Sequence, residues 1–376
     1  MSIPYGRQSI DDSDIAAVVA TLSSDWLTMG PNVTGFEDAV AALSMSVGAV
    51  AVSSGTAALH CAYAATGIGA GDEVITTPMT FVATAATAIA QGATVRFADV
   101  QSDTLNLDPA QAAALVTSNT KVIAVVDFAG HPADLDEFAE LAEKSGAFLL
   151  EDAAHSIAST YRGREVGSIA DLTAFSFFPT KNLTTAEGGA VVSASSDLLE
   201  RARLFRGHGV VRDREKLRNE EEGAWYHEVH EFGLNYRLPD VLSALGISQL
   251  KRIAAFKARR TAIFERYTAE LADVDGLTLP TKRDYVDPMW HLFPIRVHDG
   301  RRREVFDYLR DHGVLVQVNY IPAYWHPVFE DLGYQRGMCP VAEQFYREEV
   351  SLPMFAGLTD DNQSVVIDTL RAALSA

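Results

Sequence analysis

AVAVSSGTAALHCAYAATG, residues 49–67, changes character in its middle. Ala49 to Val52 form a short apolar run that closes in Ser53-Ser54-Gly55, the pattern of a strand buried on both faces. Thr56 onward is rich in alanine and stops at Gly67, the pattern of a helix with its terminating glycine. The stretch therefore predicts strand, turn, helix. The same rhythm continues: DEVITTP (72–78) as strand, FVATAATAIAQG (81–92) as helix, and TVRFADV (94–100) as strand. Asp108-Pro109 opens a further helix, since Asp caps free N–H groups and Pro suits the first turn. KVIAVVDFAG (121–130) follows as strand, ADLDEFAELAEKSG (133–146) as amphipathic helix, and AFLLEDAA (147–154) as strand.

Strands separated by helices of this length build βαβ units, so the expected class is α/β with a mostly parallel sheet covered on both faces. Such sheets bind ligands beyond the carboxyl ends of their strands. Those ends here carry Ser53-Ser54-Gly55-Thr56, Thr76-Thr77-Pro78, Asp127 and Glu151-Asp152. Farther on, the charged segment 212–231 reads as a long loop with Trp225 and Tyr226 anchoring its tip. A continuous helical pattern runs over 239–271. A smaller α+β unit follows, with 291–297 as strand, 302–313 as helix and 314–322 as strand. The expected division is a large domain over 1–240 and a small one over 241–376.

A formal charge of −19 argues against a general nucleic-acid surface, which needs clustered Lys and Arg. It leaves room for a nucleotide-bearing small molecule held by local contacts. Cys61 and Cys339, the two cysteines, form neither a zinc pattern nor a disulfide framework, and no metal site is expected. The N-terminus lacks a basic-then-apolar signal design. The most apolar stretch, 81–95, is interrupted by Thr84, Thr87, Gln91 and Gly92 and falls short of the roughly 18 residues a membrane span requires. The expectation is a soluble cytoplasmic protein without membrane or nucleic-acid partners.

Three features carry chemistry. Gly55-Thr56, at a strand-to-helix junction, can cradle a phosphate against first-turn N–H groups or simply open a helix. The phosphate-loop lysine signature is absent, which argues against nucleoside triphosphates. Asp152 closes an apolar strand and can pair with a cation or serve as a cap. Lys181 sits in FSFFPTKNLTTAEGGAVVS (175–193), led in by Phe175, Phe177, Phe178 and Pro179. A desolvated lysine loses its charge readily and attacks carbonyls, whereas a surface lysine snorkels. Gly188-Gly189 then turns the chain into a further strand.

Ser53-Ser54-Gly55-Thr56-Ala57-Ala58-Leu59, Glu151-Asp152-Ala153-Ala154-His155 and Phe175-Ser176-(Phe177-Phe178-Pro179-Thr180)-Lys181, in this order, resemble the DegT/DnrJ/EryC1/StrS family of sugar aminotransferases. Gly188-Gly189, Arg206-Gly207-His208-Gly209 and Asn235-Tyr236-Arg237 extend the resemblance over essentially the whole chain. It implies a pyridoxal-phosphate transferase of fold type I, with the cofactor in Schiff-base linkage to Lys181. Asp152 would pair with the pyridine nitrogen, and Gly55, Thr56, Ala57 and Ser176 would hold the phosphate. Phe81 would stack on the ring, and His155 would lie against the ring or its phenolic oxygen. Asn235 would reach in from the other subunit of a homodimer with shared active sites.

The segments 3–8, 27–31 and 317–322 resemble the branch of that family that makes UDP-4-amino-4,6-dideoxy-N-acetyl-β-L-altrosamine for pseudaminic acid synthesis. The partners so implied are L-glutamate as amino donor and a UDP-linked 4-keto-6-deoxy sugar. Tyr5, Asp25, Trp26, Leu27, Thr28, Gln317, Val318, Asn319 and Tyr320 would hold that sugar nucleotide. Phe178 departs from the His that many relatives carry before the Pro, and Asn319 from the His of some. A dTDP- or GDP-linked sugar aminated at C3 or C4 is the alternative, and a non-catalytic regulatory protein on the same fold is a remote one. No G-x-G-x-x-G opens a helix after the first strand, which argues against a nicotinamide oxidoreductase.

Overall fold

A computed structural model describes residues 2–219 and 222–375. Its frame is a seven-stranded sheet. In chain order the strands are β1 (Gly48–Val52), β2 (Glu73–Thr76), β3 (Thr94–Phe97), β4 (Thr120–Val126), β5 (Phe148–Asp152), β6 (Leu172–Ser176) and β7 (Gly189–Ser193). In space they run β1-β7-β6-β5-β4-β2-β3. The ladders from β3 to β6 are parallel, and β7 alone runs antiparallel to both its neighbours. Helices Gly55–Thr66, Ala83–Ala90, Pro109–Leu115 and Leu135–Ser145 fall where the sequence pattern sets them.

Alternate side chains of one strand enter different cores, which is why these strands read as unbroken apolar runs. Val122 and Ala124 of β4 pack with Tyr63, Val74 and Leu150, whereas Ile123 and Val125 pack with Ile75, Phe138 and Leu149. β7 slots between β1 and β6 only because residue 189 lacks a side chain. A Cβ there would lie 2.4 Å from Ser54 O and 2.8 Å from Phe175 O. The carboxyl ends of β1 and β6 are thereby drawn together.

The C-terminal part has its own core, in which Ile3 from the N-terminus joins Phe264, Tyr267, Phe293, Ile295, Val350, Leu352 and Leu370. Trp290 stacks on Phe264 at 3.7 Å between ring centroids. Three expectations fail here. The helical pattern over 239–271 is two helices, Asp240–Leu250 and Ile253–Leu271. The break at Arg252 has a cause: buried Asp14 accepts from Gln249 Nε2 (2.6 Å) and is paired with the Arg252 guanidinium. Residues 314–322 do not form a strand; Val314 makes one bridge to Ile3 and Gln317 one to Ser351. The sheet position goes instead to Glu349–Leu352, which pairs with Phe293–Val297. In the loop 212–231, of which residues 220 and 221 lie outside the described residues, Trp225 is 80% exposed and does not anchor the tip, whereas Tyr226 bonds with Asn219 and Glu228. Glu228 organises that loop, accepting from Arg218 N (2.8 Å), Asn219 N (2.9 Å) and Tyr226 OH (3.2 Å). Among the described residues no helix is long and apolar enough to cross a membrane.

β1 is an edge strand, and unpaired edge groups need partners. Arg206 Nη1 donates to Ala51 O (2.8 Å) and Glu37 Oε1 (2.6 Å), while Ala51 N donates to the same Glu37 oxygen (2.9 Å). Ser53 N donates to Tyr236 O at 2.8 Å, which fixes where β1 ends. Arg206 is buried, so removing it strands a carboxylate and a carbonyl together. Arg206→Met is expected to lower the unfolding free energy by about 3–5 kcal/mol in urea denaturation. An unchanged midpoint would remove this pair from the account of the edge.

Candidate active site

A cavity of about 540 Å³ opens at the carboxyl ends of β1, β4, β5 and β6, where a sheet of this topology places its ligand. Its floor begins where β1 stops. Ser54 caps the helix Gly55–Thr66 by accepting from Ala57 N (3.1 Å), which leaves the N–H groups of Gly55 and Thr56 for an incoming anion. Gly55 lies so near Ser176 that a Cβ would sit 2.6 Å from the serine Cβ and 2.8 Å from its Oγ. Glycine there makes one cradle from two N–H groups and a hydroxyl.

Asp152 closes β5 at the back of the cavity and is buried. Thr84 Oγ1 donates to its Oδ2 at 2.6 Å and Ala154 N to its Oδ1 at 3.2 Å. Burial raises the carboxyl above the usual aspartate range, while these two bonds and the charge of Lys181 pull it back down. Lys181 follows β6 in a loop that folds on itself: Lys181 N donates to Phe178 O (2.9 Å) and Thr185 N to Phe177 O (3.0 Å). Asn182 Nδ2 ties that loop to Met289 O at 2.7 Å. Phe175 and Phe177 are buried, whereas Phe178 is half exposed and lines the cavity beside Lys181. Burial brings the Lys181 amine down to about 8, against the opposing pull of Asp152. An amine so tuned is a usable base and nucleophile near neutrality.

His155 forms a side wall. Its Nε2 lies 3.0 Å from Tyr320 OH, and its ring sits 4.4 Å from that of His291. Burial first, and the Lys181 charge second, hold the His155 imidazole well below its ordinary range, so it is neutral. Its Nδ1 is buried without a partner among the described residues.

Of the residues expected to form the site, the cavity gathers Tyr5, Gly55, Thr56, Phe81, Asp152, His155, Ser176, Lys181, Asn319 and Tyr320. Ala57 lies beneath the floor with its N–H already used by Ser54. Asn235 is exposed and bridges to Gly207, outside this cavity. Asp25, Trp26, Leu27 and Thr28 lie on an exposed loop before the helix Pro31–Leu43, and Gln317 and Val318 flank the cavity without lining it. Thr84, Glu187 and His291 are among the lining residues that carried no functional expectation. Thr84 lies in the first turn of the helix Ala83–Ala90 and Thr80 in the bend before it, and their hydroxyls lie 2.7 Å apart.

The donor set fits pyridoxal phosphate: an anion cradle, a buried carboxylate opposite it, and a buried amine of low basicity between them. Fold and site together define a pyridoxal-phosphate-dependent transferase of fold type I. Comparison with known proteins narrows the class. The sequence pattern of the DegT/DnrJ/EryC1/StrS aminotransferase family matches residues 8–371, and the chain belongs to that family. It is 40% identical over 375 residues to the spore coat polysaccharide biosynthesis protein SpsC of Bacillus subtilis, covering 98% of this chain and 96% of that one. It is 38% identical over 378 residues to the UDP-4-amino-4,6-dideoxy-N-acetyl-β-L-altrosamine transaminase of Campylobacter jejuni, covering 99% and 97%. Among solved structures, Helicobacter pylori PseC, an aminotransferase involved in the biosynthesis of pseudoaminic acid, superposes with a TM-score of 0.93 at 31% identity over 100% of both chains. The sugar aminotransferase Spr1654 of Streptococcus pneumoniae, described as putative, does so in its PMP form with a TM-score of 0.93 at 29% identity over 99% of both. The chain is an aminotransferase.

In cofactor-free protein, the rate of Lys181 acylation by an amine reagent, followed peptide by peptide, is expected to rise to half its maximum near pH 8. Asp152→Asn removes the attractive charge and shifts that midpoint lower. A Lys181 midpoint above pH 10, the range of an unperturbed lysine, would contradict the burial argument.

Proposed function

We propose that the protein transfers the amino group of L-glutamate to C4 of a nucleotide-linked 4-keto-6-deoxy sugar, UDP-2-acetamido-2,6-dideoxy-β-L-arabino-hex-4-ulose, releasing 2-oxoglutarate and the 4-amino sugar nucleotide. The observation that carries the reading is the buried amine of Lys181, held near pH 8 in the cavity that Asp152 closes. The sugar is chosen on the similarity to the Campylobacter jejuni transaminase and to Helicobacter pylori PseC.

Pyridoxal phosphate, when bound, supplies an electron-poor ring that takes up the electron pair left as a C–H bond breaks. The chain supplies the rest. Gly55 and Thr56 bind the phosphate through free N–H groups and Ser176 through its hydroxyl, while Ala57, its N–H held by Ser54, packs beneath them. Asp152 keeps the pyridine nitrogen protonated, with Thr84 fixing the orientation of its carboxyl group. Phe81, 61% exposed at the cavity, and neutral His155 would flank the ring. Lys181, the residue joined to the cofactor at rest, takes a proton from the donor carbon and returns one as the amine is transferred. Tyr5, Asp25 to Thr28, and Gln317 to Tyr320 hold the sugar nucleotide.

The reading includes a homodimer in which Asn235 serves the neighbouring site. Support comes from apolar side chains left in water: Phe232 at 99% and Leu234 at 41% exposure beside Asn235, and Trp26 and Leu27 at 55% and 52%. Large and small domains dividing near residue 240, and a cytoplasmic location, belong to the same proposal.

The test incubates the protein with L-glutamate and a panel of UDP- and dTDP-linked 4-keto-6-deoxy sugars and identifies the amino sugar formed. Turnover with the UDP-linked keto sugar is expected, and Lys181→Ala lowers it by at least about 10³-fold. Retained turnover in that variant would sink the role given to Lys181. Amination of dTDP-linked sugars alone would overturn the substrate.

A further inference from the structure

Behind the cavity wall lies a carboxylate that no step above uses. Glu349 begins the strand Glu349–Leu352 and is fully buried. Its Oε2 accepts from Asn319 N at 2.7 Å, and its Oε1 accepts from Ser351 Oγ at 2.5 Å. Asn319 Nδ2 lies 3.1 Å from Ser351 Oγ and 2.9 Å from Tyr5 OH. Tyr5 and Asn319 both line the cavity. Four side chains thus form one chain of contacts running from a buried carboxyl to the cavity surface.

The direction of such a chain follows from counting hydrogens. A serine hydroxyl has one. When Glu349 is ionised, Ser351 spends its hydrogen on Oε1 and can only accept from Asn319. The amide must then turn its NH₂ toward Ser351 and Tyr5. Tyr5 accepts from that NH₂, so its own hydrogen is free for the cavity, and Asn319 Oδ1 is free beside it; neither has a partner among the described residues. When Glu349 is protonated at Oε1, Asn319 N still donates to Oε2, but the side-chain donors reverse, because the Ser351 hydrogen then finds an acceptor only if the amide turns its oxygen toward it. Glu349 donates to Ser351, Ser351 donates to the amide oxygen, and Tyr5 donates its hydrogen to that same oxygen. The cavity then loses the Tyr5 donor and meets an NH₂ where an acceptor had been.

Resting on the sugar-nucleotide reading above, we propose that Glu349 is a positioning residue: its charge sets the direction of this chain and presents Tyr5 O–H and Asn319 Oδ1 as a paired donor and acceptor for a sugar hydroxyl or acetamido group. Burial lifts the Glu349 carboxyl to about 8, with Ser351, Asn319 N and the charge of Arg302 acting against that rise. The other ionisable groups around it are Tyr5 and Tyr320, both pushed above the ordinary tyrosine range by burial, and Arg260, whose charge acts on Tyr5. Affinity for the sugar therefore rises as pH passes upward through about 8, where Glu349 ionises. Lys181 titrates in the same range, so the assignment needs a variant that changes one and keeps the other.

Glu349→Gln is that variant. Its side-chain oxygen must face Asn319 N, so its NH₂ donates to Ser351 and fixes the reversed direction at nearly unchanged volume. The experiment measures KM and kcat for UDP-2-acetamido-2,6-dideoxy-β-L-arabino-hex-4-ulose, with L-glutamate saturating, from pH 7 to 9. In the wild type, KM is expected to fall as pH rises. In Glu349→Gln, KM is about tenfold higher at pH 9 and no longer falls, while the visible cofactor band remains and kcat stays within about threefold; tenfold corresponds to about 1.4 kcal/mol. Ser351→Ala, which keeps the Glu349 carboxyl but removes its bond to Ser351 and so cuts the chain, also flattens the KM profile. A Glu349→Gln enzyme with wild-type KM and wild-type pH dependence overturns the proposal. So does a variant that loses the cofactor band or thermal stability while its KM still falls with pH, since that is a purely structural role. A wild type that turns over no UDP-linked keto sugar refutes the substrate reading instead, and that outcome is distinguished by the wild type alone.

Discussion

The structure depends on taking one amine and one carboxylate out of water at the same end of a sheet. Burial disfavours both charges, by raising Asp152 and lowering Lys181, and each partly restores the other. Neither would be tolerated alone in an apolar cavity. What makes the pair possible is the sheet, since β5 and β6 are neighbours whose carboxyl ends open into the same space. Thr84, from a different helix, completes the carboxylate's hydrogen bonds.

The same sheet explains the close approach of Gly55 to Ser176. β7 runs antiparallel between β1 and β6, and the missing side chain at Gly189 lets those strands close up. Gly55 at the end of β1 then touches Ser176 at the end of β6. Two glycines far apart in sequence serve a single close approach, and the covered edge of β1 holds it in place.

Much of this could be read in the sequence because the central sheet announces itself locally. β1, β2, β4 and β5 are buried on both faces and so appear as short apolar runs, whereas the edge strand β3 alternates, and the turns after β1 and β5 show polar residues of the cavity. Gly55, Asp152 and Lys181 stood out because their residue types conflict with their surroundings. The failures occur where tertiary contacts override a local pattern. The helix over 239–271 breaks because Asp14, more than 200 residues away, binds both Gln249 and Arg252. The apolar run at 314–322 lost its strand position to Glu349–Leu352, whose polar Glu349 and Ser351 hid it. His291 and Glu349 gave no signal, since each acts through partners that only the folded chain assembles. Asn235 and the loop 25–28 lie outside the cavity of their own chain.

The central claim, that Lys181 is the amine on which the cofactor rests, is tested most directly by chemical fixation. Borohydride reduction of the purified holoenzyme, followed by proteolysis and mass spectrometry, locates the pyridoxyl group on the chain. The account predicts that the label resides on the peptide containing Lys181 and on no other lysine. A label on a different lysine, or a yellow enzyme that borohydride leaves unlabelled, would contradict it.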